Sequence, residues 1–379
     1  MEKRAVERMG QTIHVYDEWM EKEGIPIYRE SYNIEDMTEL PRGPWARLGG
    51  KGTFIEMAGA KAAGKQLYVA EIPAGGALEP EKHMYDEMLY IVRGRGLAEV
   101  WYEGQGKVSF EWGEGSLFGI PLNAWHRLVN GGREPVLVFG QSAAPIVMNT
   151  FRNTEFVFNC DYNFTDRFTG QADYFVAGKK PTEGERGGWE TNFVPDVRTV
   201  LSGKGGGTVG FNMASWNGSH VSAWPAGNYT RQAHYHRPGA TIVGVKGEGY
   251  GLLWHRKYGI HPFQDGYGDK VVKAPWKPGT IYIPLSEWFH QHFYTQGPEP
   301  GIQLKVMGRG TLAISPLTEE QLGNEDTGNI SVREGGTMIK YEDEDPEVRR
   351  MFEEELRKNG VECTMEPVVY RTDSFRFSD

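Results

Sequence analysis

Gly94-Arg-Gly-Leu-Ala-Glu-Val-Trp101 returns as Gly247-Glu-Gly-Tyr-Gly-Leu-Leu-Trp254, 153 residues further along the chain (94 to 247). Upstream of that stretch, Gly52-Thr-Phe54 is answered by Gly207-Thr-Val209, and Pro73-Ala-Gly75 by Pro225-Ala-Gly227. Downstream, Trp112-Gly-Glu-Gly-Ser-Leu-Phe-Gly-Ile-Pro121 is answered by Trp276-Lys-Pro-Gly-Thr-Ile-Tyr-Ile-Pro284, and the offset has grown to 164 (112 to 276). The second copy therefore carries an insertion of about eleven residues, expected as a longer hairpin at Tyr258–Asp269, where glycine and aromatic residues cluster. Arg133-Glu-Pro135 and Pro298-Glu-Pro300 close the two copies. Order repeated on this scale means two copies of one domain.

Within each copy, apolar and polar residues alternate in short runs broken by Gly or Pro, the pattern of antiparallel strands in a sandwich or barrel. The expected layout is an N-terminal extension (1–45), a first barrel (46–150), a connector (151–200), a second barrel (201–316) and a C-terminal extension (317–379). The connector is aromatic, then charged and Gly-rich around Lys179–Gly188, and reads as a segment packed on the barrels with one exposed loop. At the two ends, Val15–Glu23 and Pro346–Asn359 have helical spacing, with Asp345-Pro346 as a helix start. Both helices are expected at the periphery or at a subunit interface.

Composition narrows the class. The 379 residues include 50 Gly, 11 Trp, 18 Tyr and 18 Phe, which suits short strands and tight turns. A formal charge of -10 and a pI near 5.6 argue against nucleic acid or an anionic membrane as partner. No stretch reaches the ~18 apolar residues of a membrane span, and Met1–Arg8 has no apolar signal core. Two cysteines, Cys160 and Cys363, form neither a disulfide framework nor a zinc site, so a cytoplasmic setting is the expectation.

The chemistry lies in the histidines. In the second copy, Arg231-Gln-Ala-His-Tyr-His236 places His234 and His236 on one face of a strand, and Pro284-Leu-Ser-Glu-Trp-Phe-His-Gln-His292 does the same for His290 and His292. Neutral imidazole is a common ligand of transition metals. In the first copy, Glu81-Lys-His83-Met-Tyr-Asp-Glu87 is followed by Pro121-Leu-Asn-Ala-Trp-His126-Arg-Leu-Val-Asn130. Glu81, His83 and Glu87 share one strand face. His220, His255 and His261 fit no ligand spacing and are expected at the surface or in turns, and no glycine run is followed by a dinucleotide-binding helix.

Spaced in this way, between Gly75 and Gly94 and again before Gly247, these residues resemble the two linked motifs of the cupin superfamily. The resemblance implies an all-β fold of two cupin barrels (double-stranded β-helix, or jelly roll) with peripheral terminal helices. It implies a metal held by His234, His236 and His290, with His292 as an alternative ligand or a hydrogen-bonding neighbour of one. The usual motif glutamate is Ala240 here, and Tyr294 stands where Asn is usual. A further site of Glu81, His83, Glu87 and His126 would be harder and suited to Mn(II), Fe(II) or Zn(II), although Glu81 has the alternative of an ion pair with Lys or Arg.

In length and layout the chain looks like the gentisate and 1-hydroxy-2-naphthoate dioxygenase group, and shares with other bicupins Trp288-Phe-His-Gln-His-Phe293 and Phe164-Thr-Asp-Arg-Phe168. That implies an Fe(II) dioxygenase using the second barrel, with Mn(II), Ni(II) or Zn(II) as other metals, and a small aromatic or carboxylate-bearing substrate with O2. Gln232, Arg231, Tyr282 and Trp288 are the expected pocket residues. Two alternatives stand beside it: a non-oxidative decarboxylase, lyase or isomerase using Glu81 or Glu87, and a ligand-binding bicupin without activity. A homodimer or homotetramer is the expected assembly.

Overall fold

The first copy folds into β1 (Gly50–Met57), β2 (Gln66–Ile72), β3 (Glu87–Arg93), β4 (Arg95–Trp101), β5 (Val108–Gly113), β6 (Leu117–Ile120), β7 (Trp125–Val129) and β8 (Val136–Ser142). Five of these make one sheet, in the order β1-β2-β8-β3-β6, and three make another, β7-β4-β5. The second copy repeats this as β9 (Gly207–Asn212), β10 (Asn217–Trp224), β11 (Thr241–Lys246), β12 (Gly249–His255), β13 (Val272–Trp276), β14 (Ile281–Tyr282), β15 (Trp288–Tyr294) and β16 (Gly301–Gly308). Its sheets run β9-β10-β16-β11-β14 and β13-β12-β15. The architecture is thus all-β and duplicated strand for strand, two jelly-roll barrels in one chain. This computed structural model describes residues 14–30, 32–177, 180–181, 188–201, 206–213, 217–235, 240–308, 329–373, 375 and 377.

Many of these strands read as nearly continuous apolar runs because both of their faces are buried. Along β3, Leu89 and Ile91 point into the first barrel beside Phe54, Tyr68, Phe118 and Val138. Their neighbours Met88 and Tyr90 point the other way, into a cluster with Val69, Leu137 and Phe139. Val221, Val243, Leu304 and Val306 of the second barrel belong to that same cluster, so the two five-stranded sheets pack against each other through their outer faces. Truncating one of these leucines to alanine costs about 2–5 kcal/mol in such a setting.

Gly94 and Gly247 are required by their turns. Both have positive φ (+96° and +79°), and an added Cβ would lie 2.6 Å from Val136 Cγ2 and 2.5 Å from the Tyr294 ring, respectively. The insertion in the second copy falls between the paired strands β12 and β13, as the growing offset indicates. It contains two short helical turns, Arg256–Tyr258 and Gly268–Lys270.

The terminal helices each belong to one barrel. Helix α1 (Val15–Lys22) buries Trp19 and Met20 in the first core. Helix α2 (Pro346–Lys358) is capped by the Asp345 carboxylate, which accepts the Glu347 N–H at 3.0 Å, and it buries Val348, Phe352 and Leu356 near Phe293. Two short strands cross between the barrels: Asn33–Ile34 pairs with β14, and Phe193–Val194 of the connector pairs with β6.

One histidine departs from expectation. His220 is not in a turn but within β10, directly opposite Lys305 of β16. Metal spacing says nothing about such a residue, because its place is set by strand register.

Candidate metal centre

Glu81 and His126 meet across an isolated antiparallel bridge, Glu81 N–H to His126 O at 3.0 Å and His126 N–H to Glu81 O at 2.9 Å. His83 follows two residues on, and Glu87 opens β3. Their ligand atoms converge. Glu87 Oε2 lies 3.4 Å from His83 Nε2 and 3.6 Å from His126 Nε2, and Glu81 Oε1 lies 3.8 Å from His126 Nε2. All four groups offer an atom within 4.8 Å of every other. Ligands on opposite sides of an ion, each ~2.1 Å from it, are ~4.2 Å apart, so shifts of a few tenths of an ångström close this set around a cation.

The imidazoles are oriented for that role. His83 Nδ1 lies 2.8 Å from the Tyr85 carbonyl and His126 Nδ1 3.1 Å from the Ala124 carbonyl. With Nδ1–H donating there, each Nε2 lone pair faces the centre. The Tyr85 ring stacks on His83 at 3.8 Å. The loop that delivers His126 turns at Asn123, φ +59°, a left-handed position that Asn tolerates in place of glycine, and its side-chain amide donates to the Cys160 and Tyr162 carbonyls, both at 2.8 Å.

Burial by itself would raise the Glu87 carboxyl, yet the imidazoles of His126 and His83 hold it well below the usual carboxylate range. Burial would likewise lower His126, and Glu87 with Glu81 raises it instead. Tyr68 donates to Glu87 Oε1 at 2.7 Å, and burial followed by that carboxylate pushes the phenol well up. His83 Nε2 and Glu87 Oε2 are buried and make no hydrogen bond. Buried polar atoms are almost always paired, so these two fit the ligation of a cation.

Glu81 also forms the ion pair left open as its alternative. Its Oε2 binds Arg47 Nη1, and Arg47 Nε binds Glu23 Oε2 at 2.7 Å. The guanidinium sits within 5.5 Å of the Trp19, Trp45 and Phe158 rings. Burial disfavours its charge, but Glu81 and Glu23 keep it fully protonated. Glu81 therefore presents Oε1 to the centre while Arg47 holds Oε2. Beside the cluster lies a cavity of about 20 Å³ whose other walls are mostly apolar, including Leu78, Leu89, Leu128 and Val138. It has room for a water or a ligand of very few atoms.

The second barrel repeats the geometry with other residues. His234 and His290 form the equivalent bridge, with N–H to O distances of 3.2 and 2.9 Å, and their rings lie 4.4 Å apart. His292 stands 5.7 Å from His290, ring to ring, and its Nδ1 is 2.6 Å from the Tyr282 hydroxyl. His236 lies outside the described residues. Of the expected pocket residues, Tyr282 is buried and bonded to His292 and to Gln303 Nε2 at 2.9 Å. Gln232 contributes its carbonyl to His234 Nδ1 at 3.0 Å, Trp288 packs on Tyr32, and Arg231 donates to Asn329 Oδ1 at 2.7 Å. Sequence reasoning did not find Arg47 or Tyr68, which reach the centre only through the fold.

A family model described as the cupin domain matches residues 68–140. No curated protein matches the chain by sequence. Among solved structures, a deletion mutant of Bacillus subtilis oxalate decarboxylase aligns over 79% of this chain and 86% of its own, at 11% identity and a TM-score of 0.47. Recombinant pro-11S globulin of pumpkin aligns over 73% and 85%, at 11% identity and 0.44. The coconut allergen cocosin aligns over 68% and 81%, at 14% identity and 0.44. These likenesses span a decarboxylase, a globulin and an allergen and transfer no activity. The fold stands on the strand pairing described above.

Proposed function

We propose that this protein is a divalent-metal-dependent enzyme whose first barrel holds the ion through Glu81, His83, Glu87 and His126. The observation that carries the reading is the pair of buried, unbonded atoms, His83 Nε2 and Glu87 Oε2, aimed at one point beside a third and fourth ligand. A mixed imidazole–carboxylate set suits Mn(II) or Fe(II), with Zn(II) and Ni(II) as competitors. When bound, the ion supplies Lewis acidity and a fixed point for a small acidic substrate. The chain does the rest. Tyr68 orients Glu87 through one oxygen, the mostly apolar cavity limits the space beside the ion to a few atoms, and Arg47 anchors Glu81 by Oε2 so that Oε1 faces the ion.

A second reading rests on the His234–His290 bridge. Three imidazoles, His234, His236 and His290, would leave a divalent ion its full charge and open positions, which supports an Fe(II) dioxygenase using the second barrel. The test is turnover of small carboxylic and phenolic acids by protein reconstituted with Mn(II) or Fe(II), run with and without O2. Anaerobic turnover abolished by Glu87→Gln supports the first reading. Strictly O2-dependent turnover that survives Glu87→Gln and fails in His290→Gln supports the second.

A further inference from the structure

Thr337, Met338 and Ile339 of the C-terminal extension lie antiparallel to Ala233, His234 and Tyr235. Tyr235 N–H donates to Thr337 O at 3.2 Å, Ile339 N–H donates to Ala233 O at 2.8 Å, and His234 and Met338 form a bridge. The backbone of His234 is therefore braced on two sides, by His290 on one and by Met338 on the other.

A few residues on, three consecutive carboxylates, Asp343, Glu344 and Asp345, are all buried. Two of them have partners suited to an anion. Asp343 pairs with Arg333 Nε at 2.5 Å and Arg371 Nε at 3.6 Å. Asp345 accepts the N–H groups of Phe263, Gln264 and Glu347 at 2.8, 2.9 and 3.0 Å. Glu344 has neutral donors instead, the Tyr229 hydroxyl and the Gln291 amide, and no ion pair among the described residues. Arg349, whose charge reaches it, is bonded to Glu353 and to the carbonyls of Met365 and Glu366. The other titratable groups facing it are the phenols of Tyr250 on β12, Tyr341 on its own segment and Tyr370 on the tail, and the Asp345 carboxyl. None of these brings positive charge, and burial holds the Glu344 carboxyl up at about 7. Gln291, which lies between His290 and His292 on β15, suits both states of the acid. Its Nε2 donates to the carboxylate, and its Oε1, buried and without a hydrogen bond, accepts the acid's proton when the amide is turned over.

We propose that residues 337–345 form a pH-sensitive clamp on the stretch that carries His234, closed around a neutral Glu344 and loosened when that acid ionises. The charged form is disfavoured where Glu344 is buried and favoured where it meets water. Opening the segment therefore releases a proton at any pH between the ordinary carboxyl value of 4.5 and the buried value of about 7. Across that window, rising pH drives the segment off the Ala233–Tyr235 backbone and removes one of the two braces on His234. Above the window both states are ionised, and the opening levels off. The clamp belongs to the second barrel and does not depend on the Glu81–His126 centre or on its metal.

Amide hydrogen exchange of the full-length protein at pH 5, 6, 7 and 8, with each rate divided by the intrinsic rate at that pH, tests this. Exchange of the Tyr235 and Ile339 amides should rise about 40-fold between pH 5 and 7 and only about twofold between 7 and 8. Glu344→Gln keeps the shape of the neutral acid and cannot ionise, so its profile should be flat. Tyr229→Phe removes a donor that favours the ionised form, so its rise should continue to a higher pH. A flat wild-type profile overturns the proposal, as does a Glu344→Gln profile that rises like wild type, or a Tyr229→Phe rise that levels off where wild type does. Glu81 and His126 amides that open with the same constant as Tyr235 and Ile339 overturn it too, because the event is then unfolding of the whole chain rather than release of the segment.

Discussion

Glu87 Oε2 stands between His83 Nε2 at 3.4 Å and His126 Nε2 at 3.6 Å, buried, with no hydrogen bond of its own. Its other oxygen is held by the Tyr68 hydroxyl at 2.7 Å. One carboxylate is thus divided between an orienting donor behind it and an open centre in front.

Tyr68→Phe should therefore weaken metal binding without abolishing it. The substitution removes only the hydrogen bond behind the ligand, a change that typically costs about 10–100-fold in affinity. Competitive titration of Mn(II) against a chelator measures it. An affinity equal to wild type would mean the phenol does not orient Glu87.

Arg47 and a cation at the centre compete for the charge of Glu81 through its two different oxygens. Arg47→Gln leaves Glu81 and Glu23 without their buried cation, and breaking such a pair costs about 3–5 kcal/mol. A cation at the centre restores part of that loss by pairing Glu81. Thermal melts with and without Mn(II) should show a larger metal-induced rise in Tm for Arg47→Gln than for wild type. An equal or smaller rise contradicts the competition.

Glu344 gives the fold a pH dependence. Buried in the C-terminal segment, it accepts from Tyr229 Oη at 2.6 Å and Gln291 Nε2 at 2.9 Å. Burial, only partly offset by those bonds, raises its carboxyl from 4.5 to about 7. A raised carboxyl binds its proton more tightly in the folded state, so the stability it contributes is present below about 4.5 and lost as pH rises through about 7. The whole effect is of order 3 kcal/mol, at 1.36 kcal/mol per unit. Denaturant melts of wild type should lose stability between pH 5 and 7.5, and this component should be absent in Glu344→Gln. The same slope in both proteins would exclude Glu344 as its source.

Much of this was legible in the sequence. The offsets of 153 and 164 map Glu81 onto His234 and His126 onto His290, and the bridges Glu81–His126 and His234–His290 match in the same way. Gly94, Gly247 and the insertion before Trp276 were readable because each is a local demand of turn or loop length. What was not legible depends on contacts between distant segments. Arg47 reaches Glu81 from 34 residues upstream, out of a cage of Trp19, Trp45 and Phe158, and no motif spacing encodes that. His220 and Lys305 fall on the inner face only because β10 and β16 turn their other faces toward the first barrel. Histidine spacing drew attention to the second barrel, whereas a complete four-ligand set among the described residues lies in the first.

The most direct test of the first-barrel centre is metal content per chain, by elemental analysis of protein purified anaerobically, for wild type, His126→Ala and His290→Ala. Deleting a ligand from a four-ligand set should empty it. His126→Ala should lose about one ion per chain relative to wild type, whichever way His290→Ala behaves. Wild-type metal content in His126→Ala, with the ion lost only in His290→Ala, would contradict it and move the centre to the second barrel.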